Sequence, residues 1–91
     1  MINSKEILSI NLKYYRHKYN LSQEKFASLI GSNLTYLNQL ENCRRKPTID
    51  MLDKITVNLN KYDSSLNLET YELLKYSEDH KTSYARIDEK K

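Results

Sequence analysis

The sequence predicts an all-α chain of five short helices. Ninety-one residues contain one glycine and one proline among many Leu, Ile, Lys and Glu, so breakers of a helix interior are nearly absent. Apolar residues recur three and four apart instead of alternating, which is the helical period. A capping residue stands ahead of each of the first four stripes: Asn3 or Ser4, Ser22, Asn33 and Thr48.

The first stripe is Leu8, Leu12, Tyr15 and Tyr19, with Glu6 in the first turn and Asn20 as the expected end. Its tyrosines read as core packing with exposed hydroxyls rather than as a platform for stacked bases. His17 has no second histidine at ligand spacing and reads as a solvated helix residue. Helix 2 starts at Ser22 and carries Phe26, Ala27, Leu29 and Ile30. Gly31 stops it, because glycine enters the left-handed conformation without steric cost. Helix 3 runs from Asn33 to Asn42 with Leu37 and Leu40 buried. That leaves Leu34, Thr35, Tyr36, Asn38 and Gln39 on a face the core does not need.

A loop with three consecutive cations follows, Arg44, Arg45 and Lys46, closed by Pro47. Helix 4 is capped by Thr48, turns Met51, Leu52, Ile55 and Leu59 inward, and closes at Asn60. After the polar connection 61–65, a fifth helix is expected from about Leu66 to Ser77. Its apolar residues Leu66, Leu68, Tyr71, Leu73, Leu74 and Tyr76 exceed what one side of a small core can cover, which suggests a partner surface, with Leu66, Leu68, Tyr71 and Leu74 expected at it. Residues 78–91 are charged and nearly free of aliphatics, and a mobile tail is expected there. The domain reading is therefore 1–77, with a helix-turn-helix at 22–42, followed by the tail 78–91.

A short helix with a small residue at its crossing point, a tight turn and a second helix with a polar outer face form a DNA-reading unit. The stretch 21–47 resembles the helix-turn-helix of the phage repressor and Cro family, the xenobiotic-response-element type. The matching residues are Ser22-Gln23-Glu24, Ala27, Ile30-Gly31, Tyr36-Leu37, Gln39-Leu40-Glu41-Asn42 and Arg45-Lys46-Pro47. The likeness extends over roughly residues 6 to 66. It implies a compact domain of lambda-repressor-like type.

It also implies roles for individual residues. Arg16 of helix 1 should pair with Glu41 near the end of helix 3, setting the angle between helices. Gln23, Tyr36, Asn42, Arg44, Arg45 and Lys46 should meet phosphates. Leu34, Thr35, Asn38 and Gln39 should reach base edges in the major groove. There Asn38 and Gln39 can pair with adenine, while Leu34 and the Thr35 methyl can meet a thymine methyl, so the site leans towards A·T. Cys43 departs from the family, which usually places a glycine with positive φ there. Either Asn42 takes that conformation or the loop bends differently.

The charge distribution agrees with this plan. Net charge is +3; residues 1–60 hold nine basic and five acidic side chains, and the rest hold six and seven. The basic half is the helix-turn-helix half, which favours a polyanion. Catalysis is not expected, since the chain has no GxGxxG or P-loop, no metal cluster and no nucleophile beside a base. No cofactor, metal or small-molecule substrate is expected. One cysteine excludes an internal disulfide and fits a reducing cytoplasm. No apolar run approaches the ~18 residues of a membrane span, and no signal peptide leads the chain.

The expected function is sequence-specific binding of double-stranded DNA by a homodimeric transcriptional regulator on an inverted repeat, a repressor or operon controller. The alternative is an antitoxin or adaptor module of the same fold, with helix 5 and the tail binding a partner protein.

Overall fold

The computed structural model describes the backbone of residues 2–89 and the side chains of residues 2–83. It holds five α-helices, α1 (Ser4–Lys18), α2 (Gln23–Leu29), α3 (Leu34–Glu41), α4 (Ile49–Tyr62) and α5 (Glu78–Glu89), with one 3-10 helix (Thr70–Leu74) before the last. There is no strand among the described residues. Four helices start on a side-chain cap: Asn3 accepts from the Glu6 amide, Ser22 from Lys25, Asn33 from Tyr36 and Thr48 from Met51. Each cap satisfies an amide that the first turn leaves free.

The first three helices end in one way. Asn20, Gly31 and Cys43 all take the left-handed conformation, at φ 53, 80 and 60. In each case the next residue's amide reaches five back, Leu21 to Arg16, Ser32 to Ala27 and Arg44 to Gln39. This is the Schellman closure, which satisfies terminal carbonyls and reverses the chain sharply. Cys43 therefore takes the family glycine's conformation itself; Asn42 stays at φ −101.

One apolar core joins the helices. Leu8, Leu12 and Tyr15 of α1 meet Phe26, Ala27 and Ile30 of the α2 segment, Leu37 and Leu40 of α3, and Leu52, Ile55 and Leu59 of α4. Burying each of the larger side chains stabilises the fold by about 1.5–3 kcal/mol. Ala27 is 1% exposed on α2, which packs against α3.

The structure corrects the C-terminal third. The fifth helix does not span Leu66–Ser77; it begins at Glu78, and only Thr70–Leu74 forms a 3-10 turn between the two. Asn60, expected to end α4, lies inside it and clamps the next segment. Its Nδ2 donates to the Leu68 carbonyl at 2.9 Å, and its Oδ1 accepts from the Leu68 amide at 2.8 Å. That holds 66–68 outside a helix, with Asn67 at φ 49. Fully buried Asn11 then takes the carbonyls of Leu73 at 2.7 Å and Lys75 at 3.0 Å, acceptors that a continuing helix would need for itself.

The expected free tail is helical through Glu89, and residues 90 and 91 lie outside the described residues. Ser77 receives the His80 amide at 3.2 Å, while Glu78 and Asp79 occupy the first turn, where the helix dipole favours acids. An aromatic anchor replaces the missing aliphatics. The His80 ring stacks on Tyr14, centroids 3.7 Å apart, and its Nδ1 lies 2.9 Å from Asn11 Oδ1.

Leu68 is also corrected as a partner-facing residue. It is 5% exposed and belongs to the chain's own core, as does Leu73. Leu66 and Leu74 pack partly on that core, whereas Tyr71 remains 67% exposed.

Candidate nucleic-acid interface

α3 is amphipathic in a way that divides its labour. Leu37 and Leu40 are fully buried, while Leu34, Thr35 and Asn38 stand exposed on the other side. The α2–α3 turn sets these exposed side chains beside Gln23 at the start of α2. Gln23, Leu34, Thr35, Asn38, Gln39 and Arg44 line one open recess. All four residues expected to reach base edges share this surface, with two of those expected to meet phosphate.

Glu41 anchors the recess from behind. Its carboxylate, 2% exposed, accepts from Arg16 Nε at 2.9 Å and Nη2 at 3.0 Å, a two-pronged pair. The same carboxylate accepts from Gln23 Nε2 at 3.1 Å, and the Glu41 carbonyl accepts from Ser9 Oγ at 2.5 Å. One residue at the end of α3 is thus held by α1 twice and by α2 once. Rotating α3 against its neighbours breaks charged hydrogen bonds to a buried carboxylate, so the pair fixes the presentation angle of the recess.

The three loop cations diverge. Arg44 lines the recess. Arg45 lies over the Tyr36 ring, 4.7 Å from its centroid, and its Nη1 donates to Gln39 Oε1 at 3.1 Å. Lys46 lines a different, apolar recess with Pro47, Ile49, Leu52, Leu74 and Lys5. Asn42 caps back onto its own helix, its Nδ2 donating to the Asn38 carbonyl at 2.8 Å and Asn38 Oδ1 at 3.2 Å. The Schellman closure at Cys43 is what fans the cations out, since it turns the chain within a single residue.

Sequence reasoning overlooked Ser9, Asn11 and His80. A polar residue in an amphipathic stripe reads as outward-facing, yet Ser9 is 4% and Asn11 0% exposed. Their side-chain length, short enough to reach backbone carbonyls of a touching segment, is the signal that was available.

Tyr19 pins the far side of the domain, its hydroxyl donating to Asp63 Oδ2 at 2.8 Å. Burial first, and the bond to Asp63 second, push the Tyr19 phenol well above its ordinary value. Among the described residues no helix is long and apolar enough to cross a membrane, and no group of three or more His, Cys, Asp or Glu gathers as a metal site.

Against known proteins, a helix-turn-helix family model matches residues 12–65, more than half of the chain. Control protein C.SmaI of Serratia marcescens is 39% identical over 56 residues, which are 62% of this chain and 67% of that protein. The crystal structure of the hypothetical transcription factor NHTF from Neisseria superposes with a TM-score of 0.69 at 20% identity, over 93% of this chain and 85% of that one. The last is a likeness of fold.

Proposed function

We propose, since the chain belongs to the xenobiotic-response-element type of helix-turn-helix family of DNA-binding transcriptional regulators, that it binds an inverted-repeat operator in double-stranded DNA as a homodimer. The observation that carries this is the recess. It sets the exposed face of α3 beside Gln23 and Arg44, held at one angle by Glu41. In this reading Leu34, Thr35, Asn38 and Gln39 meet base edges in the major groove. Gln23 and Arg44 set the register on phosphates, with Lys46 further along the backbone. Tyr36 and Asn42 act from behind the reading face.

Dimerisation is supported by the apolar surface left around the second recess, where Ile49 is 77% exposed and Leu74 lies between core and surface, and by Tyr71 of the 3-10 helix, 67% exposed. A second copy related by a two-fold axis would cover it, placing half-sites about one helical turn apart. The similarity to a protein called a control protein supports a regulator of transcription over the adaptor reading.

The test is selection from a pool of random duplex DNA, sequencing the bound fraction at low and at raised salt. A recovered inverted repeat whose binding weakens steeply with salt supports the operator reader. Weak binding with no enriched motif, even at low salt, overturns it and favours a protein partner at the Ile49–Leu74 surface.

A further inference from the structure

We infer that Arg45 is a specificity-determining residue, which turns the Gln39 side-chain amide so that it offers only its N–H donors to the base it meets. The inference rests on the operator reading and adds to it the chemistry of the base edge. Arg45 is held on two sides, by the Tyr36 ring at 4.7 Å and by Gln39 Oε1 at 3.1 Å. A guanidinium has donors and no acceptor. The Gln39 atom facing it is therefore the oxygen, which resolves the oxygen–nitrogen ambiguity of this side chain. Nε2 then projects away from the cation.

Asn38 repeats the arrangement independently. Its Oδ1 accepts from Asn42 Nδ2 at 3.2 Å, leaving its own Nδ2 for the groove. Both amides on the reading face have their oxygens turned back to a buttress, so this surface meets DNA as a row of donors.

That changes the base chemistry. Pairing with adenine through two bonds needs the amide oxygen and nitrogen together at the base edge. With the oxygen committed, Gln39 reads an acceptor instead. The keto oxygens, guanine O6 and thymine O4, fit an outward N–H. Adenine offers its N7 acceptor beside a donor amino group, and cytosine presents its amino donor alone. The base opposite Gln39 is therefore G or T first on the contacted strand, then A through N7 alone, with C rejected. Arg45 acts through Gln39 and is a positioning residue, not a phosphate clamp.

The experiment is the random-duplex selection run on the whole chain as wild type, Gln39→Ala and Arg45→Met, with salt titration of the best duplex for each. Gln39→Ala locates the position whose preference it erases. At that position the wild type is expected to favour G or T over C by about tenfold and over A by less. Arg45→Met is expected to cut this to about twofold or turn it to A, with the other positions unchanged. A wild-type preference for A there overturns the inference. So does an Arg45→Met protein with an unchanged motif, uniformly weaker binding and a salt slope reduced by about one per half-site, the signature of a phosphate contact. Failure of the wild type to enrich any motif is a different result and sinks the operator reading itself.

Discussion

Removing Arg16 and removing Glu41 should not cost the same, although both delete one ion pair. The Glu41 carboxylate is 2% exposed and Arg16 is 15% exposed. In Arg16→Ala the carboxylate stays where it is, gripped by Ser9 through its own backbone and left with Gln23 as its remaining side-chain donor. An uncompensated buried charge costs about 3–5 kcal/mol. In Glu41→Ala the guanidinium sits nearer the surface and can swing its head into water along its aliphatic stem. Its loss is that of charged hydrogen bonds, about 1.5–3 kcal/mol. Replacing both by Met and Leu removes the charges together and should cost less than Arg16→Ala alone. Urea unfolding followed by far-UV circular dichroism reads these differences. Slopes for small domains run about 1–3 kcal/mol/M, so Arg16→Ala should lower the midpoint by at least about 1 M. An Arg16→Ala protein as stable as Glu41→Ala, or additivity of the two losses in the double variant, would refute the reasoning.

Three further outcomes follow from the same geometry. Asn11→Ala should cost about 3 kcal/mol, because the carbonyls of Leu73 and Lys75 lose their donor in a closed site. Amide exchange in 70–83 should rise in that variant more than exchange in α2 and α3. Gly31→Ala should lower stability by about 1–2 kcal/mol, mainly from φ +80, because the atoms its Cβ meets are the ends of the Lys54 and Asn58 side chains. A Gly31→Ala protein with an unchanged midpoint would contradict this. The docking of α5 should depend on pH: burial, with Lys18 reinforcing and Asp79 opposing, holds the His80 pKa below its ordinary 6.5. A ring with a lower pKa when docked than when free favours contact while neutral. The stabilisation is therefore complete above about 6.5 and is lost as pH falls below it. Exchange protection of residues 78–83, corrected for intrinsic rates, should hold above about pH 6.5 and fall as pH drops below it, and constant protection would rule out the His80 anchor.

The N-terminal two thirds of the fold was legible because its signals are local. Asn3, Ser22, Asn33 and Thr48 cap the helices they precede, and Leu37 and Leu40 are three apart because α3 buries one side. The end of the chain was not legible, because its structure is set by distant groups. Leu66, Leu68, Tyr71 and Leu74 have the composition of a helix, but Asn60 and Asn11 take the backbone groups that a helix there would use. The segment 78–91 is nearly free of aliphatics, and a histidine stacked on a tyrosine 66 residues earlier leaves no periodic trace. At the candidate site the residue types on the face of α3 could be read from the period. The divergence of Arg44, Arg45 and Lys46 could not, since it follows from Cys43 taking φ 60, a conformation its side chain disfavours.

Amide chemical-shift mapping of the protein against a duplex recovered from the selection tests the central claim most directly. The account predicts the largest changes at Gln23, Leu34, Thr35, Asn38, Gln39 and Arg44, with the amides of α5 nearly unmoved. Changes confined to the 3-10 helix and α5, with 34–39 still, would contradict it.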